Sequence, residues 1–135
     1  MSTNVTFFVE GTPRSKQRPR TVVNRTTKSG RVWTYNPTIT SEYCDYVRVK
    51  AREYMKTRGL KPFPKGTPVT LLLKFYQRRV NTSRPDIINI SANICDALNE
   101  VCYQDDAQIT YLVVEKIKAI KKDKVGVRIG LIVSG

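Results

Sequence analysis

Acidic side chains are concentrated in one short part of this otherwise basic chain. Five of its eleven Asp and Glu residues fall between positions 86 and 106: Asp86, Asp96, Glu100, Asp105 and Asp106. Grouped carboxylates repel one another unless a cation neutralises them, and their oxygens are the ligands that Mg²⁺ and Mn²⁺ prefer. Such a cation brings a water molecule and a phosphate oxygen together for hydrolysis. The segment therefore predicts a metal-dependent phosphodiesterase site, and the alternative is a solvated acidic helix end.

Other chemistries are excluded or disfavoured by composition. The sequence has no histidine, which excludes His-based acid–base catalysis and a His-ligated metal. Its three cysteines, Cys44, Cys95 and Cys102, form no CxxC pair, so we expect buried thiols rather than a disulfide framework or a zinc site. No segment has the length and apolarity of a membrane span, and no apolar leader follows the N-terminus. We therefore expect a cytoplasmic protein.

A large positive charge predicts a polyanionic partner. Twenty-four Lys and Arg residues against eleven acids give a net charge of +13 in 135 residues. Residues 11–41 contain no acid, and Trp33 and Tyr35 near their end could stack on unpaired bases. A charged surface that serves only solubility is the alternative. The basic side chains expected to contact DNA are Arg14, Lys16, Arg18, Arg20, Arg25, Lys28, Arg31 and Arg84.

The elements that must position these groups can be read from hydrophobic spacing and chain breakers. We predict strands at 4–10, 67–77, 108–120 and 124–134, and helices from after Pro37 to Gly59 and over 86–99. The central run of 67–77 suggests a strand buried on both faces. Gly11, Pro13, Pro19 and Gly30 make the basic segment 11–32 a loop or the tip of a hairpin. The order β-α-β-α-β-β predicts one α/β (α+β) domain over 1–135, with two main helices on a single mixed sheet.

The second predicted helix carries two stripes of side chains. Its apolar stripe is Ile87, Ile90, Ile94 and Leu98, and its polar stripe is Asp86, Asn89, Asn93 and Asp96. Simpler structural roles exist for the acids. An aspartate after Pro85 is also an ordinary helix N-cap, and the adjacent Asp105 and Asp106 are also typical turn residues.

Four segments carry a resemblance to a known family. They are GTPRSKQRPR at 11–20, YNPTITSEY at 35–43, RPDIINISANICDALN at 84–99 and YQDDAQI at 103–109. Over nearly its whole length the chain resembles the RusA-type Holliday-junction resolvases. The resemblance implies a RusA-like fold and a homodimer that uses Mg²⁺ (or Mn²⁺) to make two symmetric nicks in a four-way DNA junction.

The family motif transfers to this chain with two exceptions. It reads Asp-x-Asp-Asn, then Lys three residues after the Asn, with a later Asp from an Asp-Asp pair. The resemblance implies Asp86, Asp96, Asp105 and Asp106 as catalytic residues and Asp86, Asp106 and Asn89 as metal ligands. Ile88 replaces the second Asp, and Ala92 replaces the Lys. These two positions are four apart and so project from the same side of a helix, and their loss removes a metal ligand and a phosphate-stabilising cation together.

Three hypotheses follow for the function. The first is a metal-dependent junction endonuclease, weakened at positions 88 and 92, in which Asn93 supplements the metal ligands and Arg84 or Lys16 replaces the missing cation. The second is a catalytically inactive relative that binds branched DNA or a protein partner without cutting. The third, resting on Trp33 and Tyr35, is a basic module that binds RNA or single strands.

Overall fold

The computed structural model describes residues 4–13, 20–23, 32–35, 38–80, 87–121 and 124–134. Within these ranges lie two helices, α1 and α2, one short 3₁₀ helix (Asp106–Gln108) and six strands. In chain order the main elements are β1 (Val5–Glu10), β2 (Arg20–Val23), β3 (Val32–Tyr35), α1 (Thr38–Thr57), β4 (Val69–Gln77), α2 (Ile87–Leu98), β5 (Ile109–Lys118) and β6 (Gly126–Val133).

The main sheet has four strands in the order β1-β6-β4-β5. β6 pairs antiparallel with both β1 and β4, whereas β4 pairs parallel with β5. The parallel pair requires a crossover, and α2 provides it, so β4, α2 and β5 form a βαβ unit. The predicted α+β class, with two main helices and a single mixed sheet of four strands, is therefore confirmed.

The basic segment is more structured than predicted from its breakers. β2 and β3 form a separate two-stranded antiparallel sheet, in which Arg20 pairs with Tyr35 and Val23 pairs with Val32. The predicted loop at 11–32 is thus wrong for 20–23, and the alternative of a hairpin fits the pairing. The strands form because RTVV and VWTY are rich in the β-branched and aromatic residues that favour strands.

Both helices pack on one face of the main sheet. Val47 and Ala51 of α1 and Ile90 and Ile94 of α2 are fully buried in a core that they share with alternate residues of β1, β4 and β6. Alternation arises because successive side chains of a strand point to opposite faces. The prediction that β4 is buried on both faces is therefore wrong. Its other face is half-buried and exposes Lys74.

The helix boundaries follow their sequence signals. α1 ends at Thr57, and Gly59 follows in the left-handed region at φ 62, where the Leu60 N–H donates to the Met55 carbonyl at 2.8 Å. This is the usual role of a glycine after a helix. On α2 the apolar stripe is confirmed: Ile90, Ile94 and Leu98 are buried, and Ile87 is half-buried. No helix in the described ranges is long and apolar enough to cross a membrane.

Candidate active site

The chain between α2 and β5 is held against the C-terminal half of α2. After α2 the chain turns through Glu100, a non-glycine residue at φ 66, and the Glu100 N–H donates to the carbonyl of Tyr103 at 2.8 Å. The buried Tyr103 hydroxyl donates to the Cys95 carbonyl at 2.7 Å. A hydrogen bond from a buried hydroxyl to a backbone carbonyl satisfies both groups. Tyr103 therefore fixes the position at which the Asp-Asp pair begins.

Gln108 fixes the other end of the same turn. Its side-chain oxygen accepts from the N–H groups of Gln104 and Asp105 at 2.9 and 3.0 Å. Its amide nitrogen lies within donating distance of the carbonyls of Phe63, Pro64 and Thr67, at 3.4, 2.9 and 3.0 Å. The side chain is buried. One amide thus joins the Asp-Asp turn to the segment before β4, although sequence analysis placed Gln108 in a strand.

Asp105 and Asp106 have different surroundings within this turn. Asp105 caps the 3₁₀ helix, since its carboxylate accepts from the Ala107 N–H at 3.3 Å and Gln108 completes a capping box. Asp106 is exposed, and its pKa is raised mainly because its protonated carboxyl donates a hydrogen bond to the Asp105 carboxylate. Slight desolvation and repulsion from the charges of Asp105 and Asp96 raise the pKa further. Asp105 therefore builds the turn and also tunes the exposed carboxyl beside it.

The acidic turn lies near the side of α2 that carries the family motif. Positions 88, 92, 95 and 96 share one side of the helix by their spacing. The pKa of the Cys95 thiol is raised to about 11, mainly by burial and also by the charges of Asp106 and Asp96. Asp106 therefore lies within electrostatic range of this side of the helix. Ile88 is 78% exposed and Ala92 is exposed, so the side is open to solvent where the motif has Asp and Lys.

Arg48 of α1 is a cation near these acids that sequence analysis missed. Its guanidinium donates to the backbone carbonyls of Asp96 and Ala97, at 2.9 and 3.2 Å. These carbonyls belong to the last turn of α2, which carries the negative end of the helix dipole, and the Asp96 carbonyl also accepts from the Asn99 N–H at 3.3 Å. Arg48 therefore anchors α1 to the part of α2 that faces the acidic turn.

Comparison with known proteins decides the family. The profile described as "Endodeoxyribonuclease RusA" matches residues 10–130, which is most of the chain. The chain belongs to the RusA endodeoxyribonuclease family. A curated relative, the "Uncharacterized protein YqaN" of Bacillus subtilis (strain 168), is 26% identical over 126 residues, covering 83% of this chain and 86% of the relative.

The predicted site residues of this RusA-family chain divide into three groups. The first group is Asp96, Asp105 and Asp106. Asp96 and Asp105 lie close enough to Asp106 for their charges to raise its pKa. Asn89 is exposed on α2, whereas Asn93 is buried, so the predicted polar stripe does not run continuously along the surface. The third group lies outside the described residues, and so does the side chain of Arg20. The other members of this group are Asp86, Arg14, Lys16, Arg18, Arg25, Lys28, Arg31 and Arg84.

The donor chemistry of the turn fits a hard divalent cation, but the described donors are too few to hold one. Repulsion of the Asp106 carboxylate by the charges of Asp105 and Asp96 is a condition that a bound cation relieves. Among the described residues, however, no three acidic or Cys side chains are placed to ligate a single ion. Asp96 also lies nine residues beyond Ile87, roughly 13 Å along the helix. One ion with ligand bonds of about 2.1 Å cannot bridge Asp96 and the N-terminal end of α2.

A cavity beside the turn brings a lysine near the acids. It has a volume of about 350 Å³ and is lined by residues of the segment before β4, including Lys65 and Thr67, and by Asp105 and Gln108. Lys65 is exposed and contributes a positive charge to this cavity. Lys65 is not among the functional residues that the sequence alone indicates.

Proposed function

We propose that this RusA-family protein nicks four-way DNA junctions by metal-dependent phosphodiester hydrolysis, as a homodimer acting on cytoplasmic DNA in recombination and repair. The observation that carries the proposal is the position of Asp106. It is an exposed carboxyl, held by a turn that Tyr103 and Gln108 fix, beside the side of α2 that bears the family motif. A two-fold dimer would present two equal sites to a junction that is itself roughly two-fold.

Each part of the site has a separate task in this proposal. Asp106 and Asp86, with Asn89, hold a Mg²⁺ or Mn²⁺ ion, and this ion supplies the activation of water and the neutralisation of phosphate charge when bound. Asp105 holds the turn in place and raises the pKa of Asp106. Lys65 and the basic residues of 14–31 contact phosphates and orient the duplex arms. Asp96 contributes negative charge near the ion rather than a direct bond to it.

A second candidate function is favoured by the side of α2 itself. The exposed Ile88 and Ala92 can neither ligate a metal nor stabilise a phosphate, although they stand where the motif has Asp and Lys. An apolar residue exposed at this place suits a contact surface. In this alternative the protein binds branched DNA, or a protein partner, without cutting it.

An Asp106→Asn variant distinguishes the two candidates. A labelled four-way junction is incubated with wild-type protein or the variant in Mg²⁺ and in Mn²⁺, and binding and nicking are measured on the same samples. The endonuclease proposal expects symmetric nicks from the wild type, and at least a hundredfold slower nicking at similar affinity from the variant. Tight junction binding by both proteins, with no nicks in either metal, would support the binding protein instead.

A further inference from the structure

The second face of the main sheet carries aromatic and basic side chains rather than a layer of helices. Both described helices pack on the opposite face. On the second face, the strand pairing places Phe8, Arg128 and Lys74 side by side across β1, β6 and β4. The next row of the same face contains Glu10, Gly126 and Tyr76. This end of the sheet therefore combines ring surfaces with positive charge.

Gly126 shapes the surface between the two rings. A Cβ atom at this position would clash with the Val9 carbonyl and would lie 2.7 Å from the edge of the Phe8 ring. Because glycine has no side chain, the Phe8 ring extends over β6 and reaches Tyr76, with ring centroids 6.0 Å apart in an edge-to-face arrangement. The two aromatic residues thus form one continuous apolar platform although a strand separates them.

A cavity opens over this platform and contains several cations. It has a volume of about 390 Å³, and its walls include Ile117 and Ile120 together with Phe8 and Tyr76. Lys118, Lys124 and Arg128 also line it, and Glu10 is the one acid among the described residues of its wall. The Arg128 guanidinium lies 5.6 Å from the centre of the Phe8 ring. The volume is within the range of small-ligand sites and large enough for one nucleotide.

We propose that this cavity binds an unpaired nucleotide of a DNA strand. The base lies against the exposed surfaces of Phe8 and Tyr76, and the flanking phosphates contact Lys118, Lys124 and Arg128. Base stacking on aromatic residues combined with cations along the backbone is the general chemistry of single-strand recognition. The cavity faces away from the helices and does not share residues with the acidic turn, so the proposal goes beyond nicking and does not depend on it.

The test measures the affinity of the full chain for a labelled eight-nucleotide oligothymidine and for a duplex with the same label, by fluorescence anisotropy. The variants are Phe8→Leu and the double substitution Lys124→Gln with Arg128→Gln. Tyr111→Leu is the matched control, because Tyr111 is 66% exposed on the same face but does not line the cavity. Amide NMR spectra verify that each variant is folded and report which residues respond to the oligonucleotide.

We expect Phe8→Leu to weaken oligothymidine binding roughly tenfold with little effect on the duplex. The double substitution should reduce the slope of log affinity against log salt by about 1.4. If Phe8→Leu does not fold, the double substitution decides the outcome. Unchanged affinities, an equal loss in Tyr111→Leu, or amide shifts that miss the cavity would overturn the proposal. A change from dimer to monomer in Phe8→Leu would assign this face to contacts between copies of the chain and would also overturn it.

Discussion

At the scale of single residues, the two adjacent aspartates have different roles. Asp105 is used in the turn, where its carboxylate accepts from the Ala107 N–H, whereas Asp106 is exposed. Sequence analysis treated a turn-building role and a catalytic role as alternatives for both residues. The structure shows the turn-building role for Asp105, and the catalytic role of Asp106 remains a prediction.

Asp105→Asn should lower the pKa of Asp106 in the metal-free protein. The substitution weakens the hydrogen bond that is the largest cause of the raised pKa, and it removes one repelling charge. A ¹³C NMR titration of the aspartate carboxyls measures the change, and Asp45→Asn on the exposed part of α1 is the control. An unchanged pKa for Asp106 would show that the two side chains are not coupled.

The sign of the linked pH effect follows from the same shift. A carboxyl whose folded pKa is raised favours folding in its protonated form. The contribution of Asp106 to stability is therefore fully present below the ordinary aspartate range, and it is lost as the pH rises through the raised value. In Asp105→Asn this dependence on pH should shrink, which urea unfolding at a series of acidic pH values would measure.

Gln108 is the residue whose loss should damage the turn most. Gln108→Met removes hydrogen bonds to two N–H groups and to the carbonyls of the segment before β4, and it leaves some of these buried groups unsatisfied. We expect the free energy of unfolding to fall by roughly 2–4 kcal/mol. The control is Gln104→Met, because the Gln104 side chain is exposed in the same turn. Equal and small losses in both variants would contradict the anchoring role of Gln108.

At the scale of elements, local patterns predicted most of the fold. The apolar stripe of α2 and the glycine after α1 each located an element or a boundary. Two features were missed for different reasons. RTVV and VWTY carry strand signals, but the prolines and glycines around them favour a loop. The long-range contacts of Arg48 and Gln108 could not be predicted, since these partners are backbone carbonyls that lie 41 to 49 residues away.

The junction between α1 and α2 can be tested through Arg48. Arg48→Met should lower the free energy of unfolding by about 1–2 kcal/mol, because the guanidinium donates two hydrogen bonds to carbonyls at the C-terminus of α2. Arg52→Met, one turn further along α1 and exposed, removes the same charge and is the control. Denaturant unfolding measures both. If the two variants lose the same stability, net charge rather than helix capping would explain the effect.

At the scale of the whole molecule, the two faces of the sheet carry different chemistry. One face is covered by the helices, including α2 with its motif side and the acidic turn that follows it. The other face carries the aromatic and basic cavity. A net charge of +13 suits a protein that contacts several parts of one branched polyanion. In the proposed function the acids of this basic chain form the catalytic site, and we expect Ile88 and Ala92 to limit its activity.

A catalytic centre between α2 and the acidic turn is tested most directly by restoring the two missing motif residues of α2. The measurement is the rate at which the restored protein nicks a four-way junction. Ile88→Asp with Ala92→Lys is compared with the wild type at equal junction occupancy in Mg²⁺. Val49→Asp with Thr57→Lys on α1 is the control, because both of its positions are exposed and its charge change is the same. The account predicts nicking at least tenfold faster in the restored chain, and loss of this gain when Asp106→Asn is added. Equal rates in the wild type, the restored chain and the control would contradict a catalytic centre between α2 and the acidic turn.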